Sequence, residues 1–321
     1  MMPSFALNVV PGYIMTKYVL SIIGPTAIGK TALSIKVAQH FKTEILSADS
    51  RQFFKEMAIG TAVPSPEELS KVKHHFIHHK SIHDSYNVGA FEKDAINRLE
   101  DLYKTQNIVV MVGGSGLYVD AITKGLDDFP NVDPKIRTRL NRELETKGLE
   151  PLQDQLKALD LNAYHTIAIA NPHRVIRALE VCIGTNKPYS SYLNKLKDNR
   201  PFKTITIGLT ADREIIYDRI NRRVDTMIEA GLLDEVKTLL PHRHLNALNT
   251  VGYKELFRYF EGQWPLEFAI SEIKKNSRRF AKRQLTWFRK DPDILWFEHN
   301  TSTEHIVQSL QAAIPFKNGT S

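Results

Sequence analysis

The 321-residue chain contains a single cysteine, Cys182. No intramolecular disulfide can form and no multi-cysteine zinc site can be assembled, so a reducing cytoplasm is the expected compartment. No run approaches the ~18 consecutive apolar residues that a bilayer span requires, and no membrane partner is expected. The opening "MMPSFALNVVPGY" lacks the basic region and the small-residue cleavage site of a signal peptide. The residues before Met15 are expected to be either a disordered extension or the product of a start site placed too early. Internal repeats and low-complexity tracts are also missing. Most telling is a local absence: the window Lys274–Lys290 holds not one acid.

Hydrophobic content of 42% and charged content of 25% suit an ordinary globular protein with enough apolar chain for a core, and the length suits about two domains. The first 125 residues alternate short apolar runs ("YVLSII", "TEILSA", "NIVVMV") with helix-compatible stretches, the pattern of a parallel α/β sheet. From about Asp127 strand signals disappear, and "FKTITIGLT" restores them. The expected architecture is therefore a P-loop NTPase-like parallel sheet flanked by helices, formed by residues 1–127 and 201–321, with a helical insertion domain over 128–200. The terminal "KNGTS" is expected to fray.

Within this frame Gly24-Pro25-Thr26-Ala27-Ile28-Gly29-Lys30-Thr31 fits G-x-x-x-x-G-K-[ST] between a strand and a helix. Backbone amides and the helix N-terminus would hold phosphate oxygens, Lys30 would reach the terminal phosphates, and the Thr31 hydroxyl would ligate Mg²⁺. Asp49 ends the second apolar run, where open α/β sheets place ligands. It suits a Mg²⁺ ligand, a general base or a helix cap, and position alone does not choose. "MVGGSGLY" fails the dinucleotide spacing and reads as a close backbone approach to ligand, with Ser115 as a hydroxyl donor. The histidines of "HHFIHH" stand at i, i+4, but no carboxylate or cysteine completes a metal set beside them.

Net charge is +7, and its distribution matters more than its size. Eight cations fall in the seventeen acid-free residues from Lys274 to Lys290; Lys274, Lys275, Arg278, Arg279, Lys282 and Arg283 form two adjacent i, i+4 rows on one helix face. Solvated helices usually mix signs, so this face points to phosphate-backbone contact. Lys135, Arg137, Arg139 and Arg142 form a second basic series, and Arg174 and Arg177 a third.

Taken in order, "GPTAIGKT", "SADSRQ", "IGTAVPS", "YNVGAFEKDA", "VGGSGLY", "NPHRVIRALEV", "NKPYS", "VGYKEL" and "AKRQLTWFRK" make residues 18 to about 297 similar to the bacterial tRNA dimethylallyltransferases, or tRNA isopentenyltransferases. The resemblance implies that the loop, residues 24–31 with Ser115, holds the diphosphate of dimethylallyl diphosphate. The N6 amine of the adenosine 3′ to the anticodon then attacks the allyl carbon. It implies Asp49 as the base, Lys30 and Arg223 of "NRRVD" as counter-charges, and Gln52 at the adenine edge. It further implies tRNA contacts from Asp49, Ser50, Arg51, Gln52 and Ser115, from Arg137, from His173, Arg174, Val175, Ile176 and Arg177, and from Arg278, Arg279, Lys282 and Arg283. Mg²⁺ is the implied cofactor and a monomer the expected state. Three departures stand out: Ser115 where the family carries Thr, Ile28 where it commonly carries Ser, and "KHHFIH" for "PHH(L/F)ID". A P-loop small-molecule kinase or NTPase would explain residues 24–31 but neither the insertion nor the basic helix. A prenyltransferase for free adenine nucleotides would not need three basic clusters.

Overall fold

The computed structural model describes residues 16–193 and 200–314. The N-terminal stretch before Met15 and the tail "KNGTS" lie outside the described residues. The chain divides into two compact units, one formed by residues 1–123 with 200–321 and the other by residues 124–199.

The first unit is built on six parallel strands in the order β3-β2-β4-β1-β5-β6. Strand β1 (Tyr18–Ile23) leads through the glycine loop into α1 (Lys30–Phe41), followed by β2 (Ile45–Ser47), α2 (Pro66–Lys71), β3 (His74–His75), α3 (Val88–Leu102), β4 (Ile108–Gly113) and α4 (Gly116–Thr123). All six residues of β1 are buried, as a central parallel strand covered on both faces demands. Its side chains alternate between two cores: Val19 and Ile23 join Leu46, Val109 and Met111 on one face, while Leu20 and Ile22 join Ile45, Val110 and Ile207 on the other. Each such side chain removed from water contributes about 1.5–3 kcal/mol.

The second unit carries α5 (Pro134–Lys147), α6 (Glu150–Leu159), α7 (Leu161–Thr166) and α8 (Pro172–Thr185). Its cap chemistry is local: Asn171 accepts from the His173 amide at 3.0 Å, with Pro172 at the first helical position. Leu140, Leu152, Leu156, Val175, Ile176 and Leu179 form its own core. Val175 and Ile176 are 0% and 3% exposed, so their side chains hold this unit together and do not reach a nucleic acid. The chain returns to the first unit through β5 (Lys203–Thr210), α9 (Arg213–Glu229), α10 (Leu232–Leu239), α11 (Tyr253–Phe260), α12 (Leu266–Phe288), β6 (Leu295–Glu298) and α13 (Thr303–Ala313).

Two strands were not visible in the apolar pattern. β3 pairs only His74 and His75 with β2, and β6 lies at the other edge with no residue buried. β3 also undoes the i, i+4 spacing of the histidines, because Phe76 and His78 adopt left-handed backbone (φ 64° and 49°). His75 Nε2 lies 2.6 Å from Glu44 Oε2, and His74 Nδ1 lies 2.8 Å from the Val72 carbonyl. Among the described residues no cluster of three His, Cys, Asp or Glu could hold a metal ion. No described helix is long and apolar enough to cross a membrane.

Candidate active site

The loop after β1 turns on left-handed backbone. Gly24 has φ 146°, Ala27 φ 64°, and Gly29, which precedes α1, φ 108°. No side chain caps α1, so its first-turn amides are left without an intrahelical acceptor and point into the loop. Two loop carbonyls are engaged by cations: Pro25 O accepts from Lys30 Nζ at 2.8 Å, and Ala27 O accepts from Arg219 Nε at 2.7 Å. What remains facing inward is a cradle of donors.

Asp49 follows β2 and faces the same cradle. Its Oδ1 accepts from the Arg51 amide at 3.1 Å, which fixes the carboxyl as an Asx turn. Burial pushes the Lys30 ammonium down to about 8; Asp49 opposes that shift and Arg223 adds to it. Burial likewise lowers Arg223, again opposed by Asp49. Two desolvated cations and one carboxylate thus lie within electrostatic reach of one another, an arrangement suited to a polyanionic ligand.

Around them lie two cavities, of about 460 and 490 Å³. The first is lined by the loop from Thr26 to Thr31, with Asp49 and Gln52. The second is lined by Ser50, Arg51, Ser115, Tyr118 and Arg283. Thr26, Asp49, Arg223, Phe280 and Gln284 line both. Ser115 accepts from the Ser50 amide at 3.2 Å, which ties the β4–α4 turn to the residue beside Asp49.

Several residues picked out in the sequence have intramolecular tasks. The Gln52 Nε2 group donates to the Thr61 and Ala62 carbonyls at 3.3 and 3.0 Å, and its Oε1 accepts from Ser47 Oγ at 3.2 Å. Gln52 therefore frames the cavity wall. The Arg51 guanidinium holds the carbonyls of Asn246, Ala247 and Asn249, at 3.1, 2.9 and 3.4 Å. In the second unit Arg137 grips Glu180 in a bidentate pair at 3.2 and 2.7 Å, and Arg177 adds a third bond at 3.0 Å. His173 and Arg174 are exposed.

Helix α12 covers the basic window as far as Phe288, leaving Arg289 and Lys290 beyond its end, and its cations are not equivalent. Lys274 pairs with Asp225 at 2.6 Å, Lys275 with Glu272 at 2.7 Å, and Arg278 donates to Asn221 Oδ1 at 2.7 Å. Arg279, Lys282 and Arg283 are exposed, and Arg283 also lines the second cavity. The helix also reaches the glycine loop. Its inward Gln284 accepts from the Thr26 amide at 2.9 Å and donates to Gly114 O at 2.8 Å.

Sequence reasoning also passed over Glu235. Its carboxylate accepts from three consecutive amides, Ala58, Ile59 and Gly60, at 3.0, 2.7 and 3.0 Å, and from the Tyr253 hydroxyl at 2.6 Å. This anchor fixes the loop whose carbonyls hold Gln52. The one signal for it was the quoted segment "IGTAVPS", which named the loop and not its anchor.

A parallel sheet with a phosphate-type loop at the carboxyl end of its central strand, opening beside a second cavity, defines a protein of P-loop NTPase-like fold whose two cavities meet at one carboxylate. The IPP transferase family model matches residues 52–291, and the chain belongs to that family. It is 63% identical to a tRNA dimethylallyltransferase of Christiangramia forsetii, over 94% of this chain and 99% of that one. It is 57% identical to a tRNA dimethylallyltransferase of Flavobacterium johnsoniae, over 93% and 100%. Among solved structures, a tRNA isopentenylpyrophosphate transferase of Bacillus halodurans superposes with a TM-score of 0.69 at 36% identity, covering 93% and 95% of the two chains. A eukaryotic dimethylallyltransferase acting on tRNA superposes with a TM-score of 0.78 at 26% identity, covering 95% and 82%.

Proposed function

We propose that the protein transfers a dimethylallyl group from dimethylallyl diphosphate to the N6 amine of the adenosine 3′ to the anticodon in tRNA, releasing diphosphate. One observation carries this reading: the donor-rich cavity and the second cavity share Asp49 and Arg223 in their common wall. A carboxylate and a cation at that junction stand where a proton leaves one ligand and negative charge collects on the other.

The allyl carbon–oxygen bond breaks with its electron pair on the diphosphate, and the N6–carbon bond forms in its place. Lys30, Arg223 and the amides of the loop stabilise the charge that develops on the departing diphosphate, in a site where water screens little. Asp49 accepts the proton that N6 loses. The Asp49 Oδ2 oxygen makes no hydrogen bond among the described residues, which leaves it available for that proton. Thr26, at the junction, and Ser115, in the second cavity, supply further donors. The adenine must leave its stack to reach Asp49, and the second cavity with Tyr118 in its wall is of a size to admit it.

Magnesium fits the donor set: Thr31 Oγ1 makes no hydrogen bond among the described residues and lies on the cavity that Asp49 also lines. Thr31 would hold the ion, and the ion would offset charge on the diphosphate. Exposed side chains on α12 (Arg279, Lys282, Arg283) and on the second unit (His173, Arg174) supply phosphate-backbone contacts. The protein works as a monomer in the cytoplasm, in keeping with its lone buried cysteine.

The test is incubation with dimethylallyl diphosphate, Mg²⁺ and either tRNA or AMP, followed by nucleoside mass analysis. Prenylated adenosine from tRNA alone is expected. Prenylated AMP without prenylated tRNA would move the reading to a nucleotide prenyltransferase, and steady ATP turnover dependent on Lys30 would move it to a kinase or NTPase.

A further inference from the structure

We infer that Gln284 is a positioning residue that sets the spacing between the diphosphate loop and the acceptor-side turn; this inference rests on the function proposed above. The side chain is 5% exposed, and both ends of its amide are engaged. Oε1 accepts from the Thr26 amide at 2.9 Å, and Nε2 donates to the Gly114 carbonyl at 2.8 Å. Thr26 directly precedes Ala27, whose left-handed backbone aims the loop. Gly114 directly precedes Ser115, which bonds the amide beside Asp49.

The turn has been shaped around this clamp. A Cβ at Gly114 would sit 2.3 Å from Gln284 Nε2, and one at Gly116 would sit 2.4 Å from the Trp287 ring. Trp287, three residues further along α12, also donates to Asp120 Oδ2 at 2.8 Å. The helix therefore holds Ser115 from both sides, and through Gln284 it holds Thr26 as well. A buried amide with one acceptor bond and one donor bond tolerates no rotation of its end group, because a flip would set oxygen against oxygen and hydrogen against hydrogen. The distance between the two substrates' loops is thereby fixed to one value, and a misplacement near 1 Å in such a site costs roughly 10²-fold in rate.

Two substitutions test this. Gln284→Met keeps the volume and loses both bonds. Gln284→Glu keeps the shape; its neutral acid donates to Gly114 O and accepts from the Thr26 amide, while its ionised form sets an anionic oxygen against the carbonyl. Charged groups lining both cavities are Asp49 and Arg223, with Lys30 on the loop side and Arg51, Lys254 and Arg283 on the acceptor side. Asp218, Arg219, Arg222 and His74 stand on the loop side. These groups are present in the wild type as well, so the readout is the ratio of variant to wild type between about pH 5.5 and 8.5. For Gln284→Met the turnover number should fall roughly 10²-fold, with tRNA affinity within about threefold. For Gln284→Glu the ratio should rise as pH falls. A ratio flat with pH, or a Gln284→Met enzyme turning over within about threefold of wild type, overturns the inference. If Gln284→Met does not fold, the Gln284→Glu ratio decides alone. The same ratio measured for inorganic diphosphate binding reads the loop without turnover: wild type inactive on tRNA but a rising binding ratio would sink the proposed function and keep the clamp.

Discussion

Replacing Lys30 by methionine removes an ammonium whose pKa burial has pushed down from 10.5 to about 8. Two linked consequences follow, and they have opposite value to the protein. When diphosphate binds, its charge restores the ammonium, so the complex holds more protons than the free protein between about pH 8 and the restored value. At pH 8 about half of the free molecules lack that proton and each binding event takes up about half a proton; at pH 6.5 the uptake falls to about one in thirty. Affinity accordingly weakens with rising pH through this window, toward about tenfold per unit. In the free protein the sign is reversed. Below about pH 8 the folded chain carries a charge it desolvates poorly, a penalty of about 3 kcal/mol for the displacement from 10.5 to 8. Removing it also removes the bond to Pro25 O, a loss of about 1 kcal/mol. Lys30→Met should therefore stabilise the free protein by about 2 kcal/mol at pH 7, or roughly 4–8 °C in Tm. The gain should fade as pH rises from 8 to 10.5, where the wild-type ammonium loses its proton in both states. Calorimetry of diphosphate binding in buffers of different ionisation enthalpy, with Lys30→Met subtracted to cancel the ligand's own titration, measures the first effect. Melting curves of both proteins across pH measure the second. A methionine variant less stable than wild type at pH 7, together with equal proton uptake at pH 8, would refute the reasoning.

Asp49→Asn should lower the transfer rate by about 10²–10⁴-fold while leaving tRNA affinity within a few-fold; near-normal turnover at neutral pH would remove Asp49 from the role of base. Neutralising Arg278, Arg279, Lys282 and Arg283 together should weaken tRNA binding whatever the anticodon sequence. It should also flatten the salt dependence by about 0.7–0.9 per lost contact, with three contacts expected because Arg278 is engaged by Asn221. Equal salt slopes in variant and wild type would mean that this face is merely solvated. Glu235→Gln replaces an acceptor of four hydrogen bonds by a group that cannot satisfy all four donors, and should cost about 2–3 kcal/mol in urea unfolding; an unchanged midpoint would show that the loop at Ala58–Gly60 does not depend on it.

What could be read from the sequence was what depends on spacing along the chain. The phosphate loop has a fixed backbone path, so its glycines and Lys30 must recur at set intervals, and the sequence displays them. The central strands were legible because burial on both faces makes them continuously apolar, whereas β3 and β6 are edges with few or no buried residues and leave no such trace. Pairings across the fold were not legible. Gln284 is 258 residues from Thr26 and 170 from Gly114, and nothing in "AKRQLTW" announces either partner. Arg137 and Arg177 read as free cations until Glu180 was found between them. Val175 and Ile176 fall on the inward row of an amphipathic helix: within "HRVIRALEV" the apolar residues pack inward with Glu180, while His173 and Arg174 are exposed.

The division of labour on α12 makes that helix sensitive to phase as well as to composition. Arg279 and Lys282 look outward, while Gln284 and Trp287 look toward the glycine turn, and a rigid helix holds these directions at a fixed angle. One residue inserted between Arg279 and Gln284 would rotate the downstream part by about 100° relative to the upstream part. Every side chain would still be present, yet the cations would no longer stand over the surface they now serve while the clamp stays engaged. Substitutions on the outward face can therefore be tolerated singly, but a change of length in this segment cannot, and chains that keep this site should keep the count of residues from the first exposed arginine to the clamp.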